Sequence, residues 1–278
     1  MRVISTNEKM SQACREAVKP IGLVPTMGAL HAGHLSLVDR ARADNLTVAV
    51  SIFVNPAQFG DNDDLEKYPR DLEGDLELLR RHGVDLVYTP TVDEVYPEGF
   101  DTWVDVGPLA GKLEGLHRPG HFRGVATVVS KLFNVTRPDR AYFGQKDGQQ
   151  TLVVLKLAKD LEMGVEVVVM PTIREPDGLA LSSRNVQLSP EQRQAAPVLY
   201  QALCRAYRLW MDGERRGDAL REAAREELQA EPRVDAIDYV SVAGMETLDE
   251  LEQIEGRAMV SAAVHMGAVR LIDNIVLE

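Results

Sequence analysis

His31 and His34 stand three residues apart in "PTMGALHAGHLSLV" (residues 25–38), flanked by Gly28 and Gly33. An apolar, β-branched run precedes the pair and a helical pattern follows it. The two imidazoles therefore sit where a strand end, a flexible turn and a helix N-terminus meet. Such a junction binds anions, because unpaired backbone N–H groups and the positive end of the helix dipole point at the ligand. Glycines let main chain pass close to a phosphate. A histidine adds a donor, and when protonated a full charge, without the bulk of lysine. Zinc is the competing chemistry, but the six histidines, at 31, 34, 82, 117, 121 and 265, supply no third ligand at a recognisable spacing. The expectation is a phosphate site and no metal held by the protein.

Other loops carry side chains suited to the same chemistry. "FVNPAQFGDNDD" (53–64) offers Gln58, a neutral donor and acceptor, behind the turn signal Asn55-Pro56. "FGQKDGQQ" (143–150) places Gly144, Lys146 and Asp147 ahead of a helix, with Gln150 on its first turn. Lysine there can neutralise a phosphate, and aspartate can hold a magnesium-bound water or a ribose hydroxyl. The segment is not a P-loop, since G-x-x-x-x-G-K-[ST] is absent. In "REPDGLALSSRN" (174–185) a turn leads to Ser182, Ser183 and Arg184. Two hydroxyls and a guanidinium fork form a phosphate-binding set; a helix cap beside a solvated charge explains the stretch equally well. "LHRPGHFRGV" (116–125) is either a further anion loop or a basic connector into the next helix.

Positioning these loops requires alternating strands and helices. Buried strands are expected at 21–26, 46–54, 84–90, 140–144 and 165–171, with helices at 34–44, 71–83, 125–136 and 149–162 between them. That alternation implies βαβ units and a parallel sheet, whose ligands bind beyond the carboxyl ends of the strands. Each of the main loops follows a strand. Near Asn185 the pattern shifts to amphipathic helices, with Ser189-Pro190 as cap and first-turn pair, and then to a small sheet within 234–242 and 257–278. The expected domains are 1–184 and 185–278.

Length and composition agree with an ordinary folded protein: 278 residues, 45% of them hydrophobic. A net charge of −12 argues against a general nucleic-acid surface. Cys14 and Cys204 lie far apart, in no zinc or disulfide pattern, which suits a reducing compartment. The first residues lack the apolar core of a signal peptide, and no apolar run is long enough to span a bilayer. A soluble, cytoplasmic protein is expected.

The combination "PTMGALHAGH", "FVNPAQF", "YFGQKDGQQ" and "LSSRN", in this order, resembles the pantoate–β-alanine ligases, a family of the nucleotidyl-transferring superfamily that carries an H-x-G-H motif. The resemblance covers nearly the whole chain. It implies a Rossmann-like, parallel-sheet nucleotide domain followed by a smaller C-terminal α/β domain, and a homodimer. It implies an ATP-dependent condensation of pantoate with β-alanine through a pantoyl adenylate, with Mg2+ carried on the ATP phosphates. His34 would be the catalytic residue. ATP contacts carry over to Met27, Gly28, Ala29, Leu30, His31, Ala32, Gly33 and His34, to Gly144, Gln145, Lys146 and Asp147, to Ile173, and to Leu181, Ser182, Ser183 and Arg184. Gln58 and Gln150 would hold pantoate, and Gln58 would also reach β-alanine. Three positions depart from the family pattern: Gln145 replaces a common glutamate, Gly148 an aromatic and Ala57 a methionine.

Three other functions are compatible with parts of this pattern. A nucleotidylyltransferase that stops at an activated nucleotide product would use the same H-x-G-H. A tRNA-charging enzyme would need an RNA-binding appendage, which the acidic balance argues against. A non-catalytic nucleotide sensor would have no use for Gln58 and Gln150 beside its phosphate loops.

Overall fold

A computed structural model describes residues 1–60, 65–66 and 68–278, so the tail of "FVNPAQFGDNDD" at 61–64 lies outside the described residues. The chain divides into two compact units, Met1–Gly144 with Val153–Pro171, and Gln145–Leu152 with Thr172–Glu278. The division differs from the expected boundary at 184/185. Residues 172–184 and the turn starting at Gln145 belong with the second unit, because their hydrogen bonds and packing run to the C-terminal strands rather than following chain continuity.

In the first unit the elements run β1 (Arg2–Ile4), α1 (Asn7–Glu16), β2 (Ile21–Thr26), α2 (Ala32–Asp44), β3 (Thr47–Ile52), α3 (Leu72–Arg81) and β4 (Leu86–Tyr88). They continue with α4 (Val92–Val95), α5 (Glu114–His117), α6 (His121–Thr136), β5 (Arg140–Gly144), α7 (Gly148–Asp160) and β6 (Glu166–Met170). The first turn of α7 counts with the second unit. All strand pairs are parallel, in the order β1-β4-β3-β2-β5-β6. Leu23, Val24, Val48, Ala49, Val50, Val87 and Ala141 have no exposure at all. This is why the strands read as unbroken apolar runs: helices cover both faces of such a sheet. Val24, Val48, Val50 and Val87 pack with Leu37, Val38 and Ala41 of α2 and Leu79 of α3. Alternation turns Leu23 to the other face, and α6, buried on nearly every side, lies against β2 with α1 beside it.

The expected strands are present with ends trimmed; β3 stops at Ile52 because the chain turns at Asn55-Pro56. The pair β1 and α1 adds to the expected elements. Helix α6 begins at His121 rather than 125 and α5 runs to His117, so only residues 118–120 of "LHRPGHFRGV" are loop.

The second unit contains α8 (Pro190–Ala195), α9 (Val198–Met211), α10 (Gly217–Gln229), β7 (Ala236–Gly244), β8 (Ala258–Met266) and β9 (Val269–Leu277), the strands antiparallel in that order. Ser189 caps α8 as its sequence suggests, in a reciprocal box with Gln192. Leu199, Ala202, Leu203 and Ala206 form one stripe of α9, packed with Leu220, Ala224 and Leu228 of α10 and with Val240, Val260 and Val264 of the sheet. Among the described residues no helix is long and apolar enough to cross a membrane.

Candidate active site

Strand β2 is the point from which the chain leaves in one direction to β3 and β4, while its other neighbour is β5. In parallel sheets ligands bind at such a switch, beyond the carboxyl ends. The segment Met27–His34 leaves β2 there, and Gly144 ends β5 beside it. Gly28 and Ala29 both have positive φ, 81° and 50°. A Cβ on Gly28 would stand 2.9 Å from Asp75 Oδ2 and 3.1 Å from Ile52 Cγ2, so only glycine fits. Contacts offset the left-handed backbone of Ala29: its N–H donates to Asp75 Oδ2 at 2.9 Å, and Leu30 N–H donates to Asp75 Oδ1 at 2.8 Å. Asp75 sits on α3, 3% exposed. Burial holds its carboxyl above the ordinary aspartate value, against the lowering effect of the two N–H donors, and Asp71 adds to the rise.

His31 is the N-cap of α2, and the two histidines brace each other. His31 Nδ1 accepts from Gly33 N–H at 3.2 Å, and His34 Nδ1 accepts from His31 N–H at 3.4 Å. Their ring centroids are 4.1 Å apart. A ring nitrogen that accepts carries no proton, so in neutral imidazole the proton is on Nε2. Both Nε2–H groups are thereby donors at the helix N-terminus.

Gln58 ends a short 3-10 turn, Pro56–Gln58, and is buried at 9% exposure. Asn55 Nδ2 donates to Gln58 Oε1 at 3.0 Å and to Gly124 O at 3.2 Å, and Tyr96 Oη donates to Asn55 Oδ1 at 2.8 Å. Burial pushes the Tyr96 phenol up to about 12, which keeps it a donor. The Gln58 amide is thus oriented, and its Nε2 donates to Met27 Sδ at 3.2 Å. A thioether is a weak acceptor that a substrate oxygen could replace. The main-chain carbonyl of Gln58 accepts from His121 Nδ1 at 2.8 Å and from Arg118 at 3.3 Å. "LHRPGHFRGV" therefore braces Gln58 and is more than a basic connector.

The remaining sequence-predicted residues belong to the second unit. Gln145–Asp147 form a 3-10 turn leading into α7, with Lys146 Nζ 3.4 Å from Asp147 Oδ1. Gln150 follows on the first turn of α7, half-buried. Ile173 and Leu181 face each other across a hairpin, Leu181 N–H donating to Ile173 O at 3.0 Å. Ser182 caps the 3-10 turn Ser183–Gln187, its Oγ accepting from Arg184 N–H at 3.3 Å. The capping alternative for Ser182 is thus real, and it fixes Ser183 and Arg184 at the start of that turn. No group of three His, Cys, Asp or Glu among the described residues is arranged to hold a metal ion.

Sequence reasoning missed Asp75, Asn55, Arg118 and His121. A signal existed for Asp75: it lies four residues before Leu79, on the buried stripe of an otherwise charged helix.

Comparison with known proteins agrees with the motifs. The sequence profile of the family described as pantoate-beta-alanine ligase matches residues 2–276. A pantothenate synthetase of Roseiflexus sp. (strain RS-1) is 59% identical over 278 residues, all of both chains. One from Thermotoga neapolitana is 53% identical, again over the full length of both. Among solved structures, the pantothenate synthetase of Thermus thermophilus superposes with a TM-score of 0.95 at 50% identity, covering 99% of each chain. The pantoate-beta-alanine ligase of Francisella tularensis, complexed with beta-gamma ATP and beta-alanine, gives 0.80 at 33% identity, covering 99% of this chain and 97% of the other.

Proposed function

The chain belongs to the pantoate–β-alanine ligase family, and on that premise we propose how its residues divide the work. The enzyme is an ATP-dependent ligase that joins pantoate to β-alanine. A pantoate carboxylate oxygen attacks the α-phosphorus of ATP and pyrophosphate leaves. The β-alanine amine then attacks the carbonyl of the pantoyl adenylate, loses a proton, and AMP departs with the former bridging oxygen.

The observation that carries the division is the mutual bracing of His31 and His34, which fixes both imidazoles with the proton on Nε2 at the start of α2. Negative charge builds on the α-phosphate as the carboxylate approaches, and a donor already in place stabilises it without reorganisation. His34 is that donor, and His31 contacts the nucleotide beside it. Main chain of Met27–Gly33 lines the nucleotide. In the second unit Lys146, Ser182, Ser183 and Arg184 meet phosphate charge, with Gln145, Asp147, Ile173 and Leu181 as further ATP contacts, and Gly144 of the first unit is another. Gln58 and Gln150 hold pantoate through neutral amides, and Gln58 also reaches β-alanine. Mg2+ travels on the ATP phosphates, as hard cations that keep several waters do. The family resemblance supports a homodimer working in the cytoplasm.

Isotope exchange between pyrophosphate and ATP tests the reaction order. Pantoate alone should support exchange, and AMP release should require β-alanine. Exchange driven equally well by unrelated acids, or absent with pantoate, removes the two-step assignment.

A further inference from the structure

We propose that Asn274, on the last strand of the second unit, is a positioning residue that sets the turn carrying Lys146. The proposal rests on the nucleotide role given to Lys146 above. Asn274 is 5% exposed, and its amide is fully engaged. Nδ2 donates to the main-chain carbonyls of both Gln145, at 2.8 Å, and Lys146, at 3.0 Å, while Oδ1 accepts from Gln145 Nε2 at 2.7 Å. One buried side chain thus holds two successive peptide units and the side chain between strand and lysine. Fixing those peptides fixes the direction in which the Lys146 side chain leaves the backbone. The neighbouring packing permits this approach only because residue 148 is glycine. A Cβ there would stand 2.6 Å from Met259 Sδ and 3.0 Å from Asn274 Cγ.

The preceding residue ties down the other nucleotide segment of the same unit. Asp273 accepts a bidentate pair from Arg174, at 2.5 and 3.0 Å, and its Oδ1 also accepts Asn274 N–H at 2.8 Å. Arg174 opens the hairpin that places Ile173 and Leu181, donates to Gly178 O at 3.1 Å, and stacks over Tyr200 with its guanidinium carbon 3.7 Å from the ring centre. A hydrogen-bonded chain therefore runs from the hairpin through Asp273 and Asn274 to the Lys146 turn. The two segments form one preorganised body, and Asn274 is the link whose chemistry can be altered with least change of shape.

Asn274→Asp keeps the shape but sets a carboxylate oxygen against two carbonyl oxygens. Misplacing a binding group by a fraction of an ångström to one ångström weakens its contribution by about tenfold to a hundredfold. The expected result is an ATP KM raised by about tenfold or more, with the pantoate KM within about twofold of wild type. Asn274→Ser, which keeps one donor, should fall between the two. Should Asn274→Asp fail to fold, Asn274→Ala probes the same contact by removing both donations to the Gln145 and Lys146 carbonyls without adding charge. An ATP KM unchanged in the folded variants, whatever their melting temperature, overturns the proposal. Lys146→Ala serves as the reference: if it raises the ATP KM and the Asn274 variants do not, the positioning role alone fails. If Lys146→Ala is itself neutral, the nucleotide role of Lys146 fails and the proposal goes with it.

Discussion

Asp75 and Ala29 meet through one hydrogen bond, from the Ala29 N–H to Asp75 Oδ2 at 2.9 Å, and that bond holds a non-glycine residue at φ 50° in the turn before the two histidines. The carboxylate is buried, and its second oxygen holds Leu30. A helix of the scaffold thereby dictates the shape of the turn between β2 and α2.

Replacing Asp75 by Ala should loosen that turn. Hydrogen bonds to a charged group contribute about 1.5–3 kcal/mol, so kcat/KM for ATP should fall by roughly tenfold to a hundredfold while the pantoate KM stays near wild type. Asp75→Asn keeps one acceptor but turns an NH2 toward an N–H, and should recover only part of the loss. Steady-state kinetics with each substrate varied in turn decides this; normal kinetics in a folded but less stable variant would make Asp75 a structural residue only.

His34→Ala should reduce pyrophosphate–ATP exchange by about 10²–10³, the usual effect of removing one preorganised donor at a developing charge. The variant also loses the His34 half of the α2 capping box, so its melting curve should register a deficit of about 1 kcal/mol and no more. A fully active variant defeats the catalytic role, and an unfolded one shows that the cap dominates.

Neutral amides suit the pantoate carboxylate, because a clamped cation would hold its charge in the ground state and oppose attack. Gln150→Ala should raise the pantoate KM strongly and leave ATP binding, measured without pantoate, little changed. Gln58→Glu should be worse than Gln58→Ala, since a buried carboxylate would repel the nucleophile and leave position 58 with no side-chain donor. Titrating each variant with each substrate separates the roles; weakened ATP binding with untouched pantoate binding in Gln150→Ala would misplace the acid pocket.

Cys14 offers a pH signature away from the site. Burial pushes its thiol from 9.0 up to about 11, against a small lowering by Lys19. Between those values the unfolded chain loses the proton and the folded chain keeps it, so stability is fully present below pH 9 and falls as pH rises toward 11. The loss should approach about 2–3 kcal/mol. Denaturant curves at pH 8 and pH 11 for wild type and Cys14→Ala should converge with rising pH. Parallel curves would mean that the thiol ionises equally in both states.

The parallel sheet was legible because strands buried on both faces must be unbroken apolar runs, and 21–26 and 140–144 coincide with β2 and β5 to the residue. The loops were legible as loops because Gly, Pro, Asn and Asp punctuate the chain where each apolar run ends. What stayed hidden are long-range partners. Nothing local marks Asn274 as the holder of Gln145, or His121 as the brace of Gln58, since each contact joins distant segments. β1 is hard to read because three residues carry too little periodicity, and α1 because its buried stripe is only Met10, Ala13 and Cys14 in an otherwise polar helix.

The neighbours β2 and β5 pair as Gly22 with Arg140 and Leu23 with Ala141, so the two strands at the switch point are brought together only when a very long loop closes. Closure of that kind is slow, and its entropy is lost before the contacts that reward it exist. Local helices and the nearby β2–β3 pair can form earlier on the way to the native state. Competence to bind nucleotide is therefore a late acquisition during folding, and a refolding chain should recover helical circular dichroism before it recovers ATP-dependent protection.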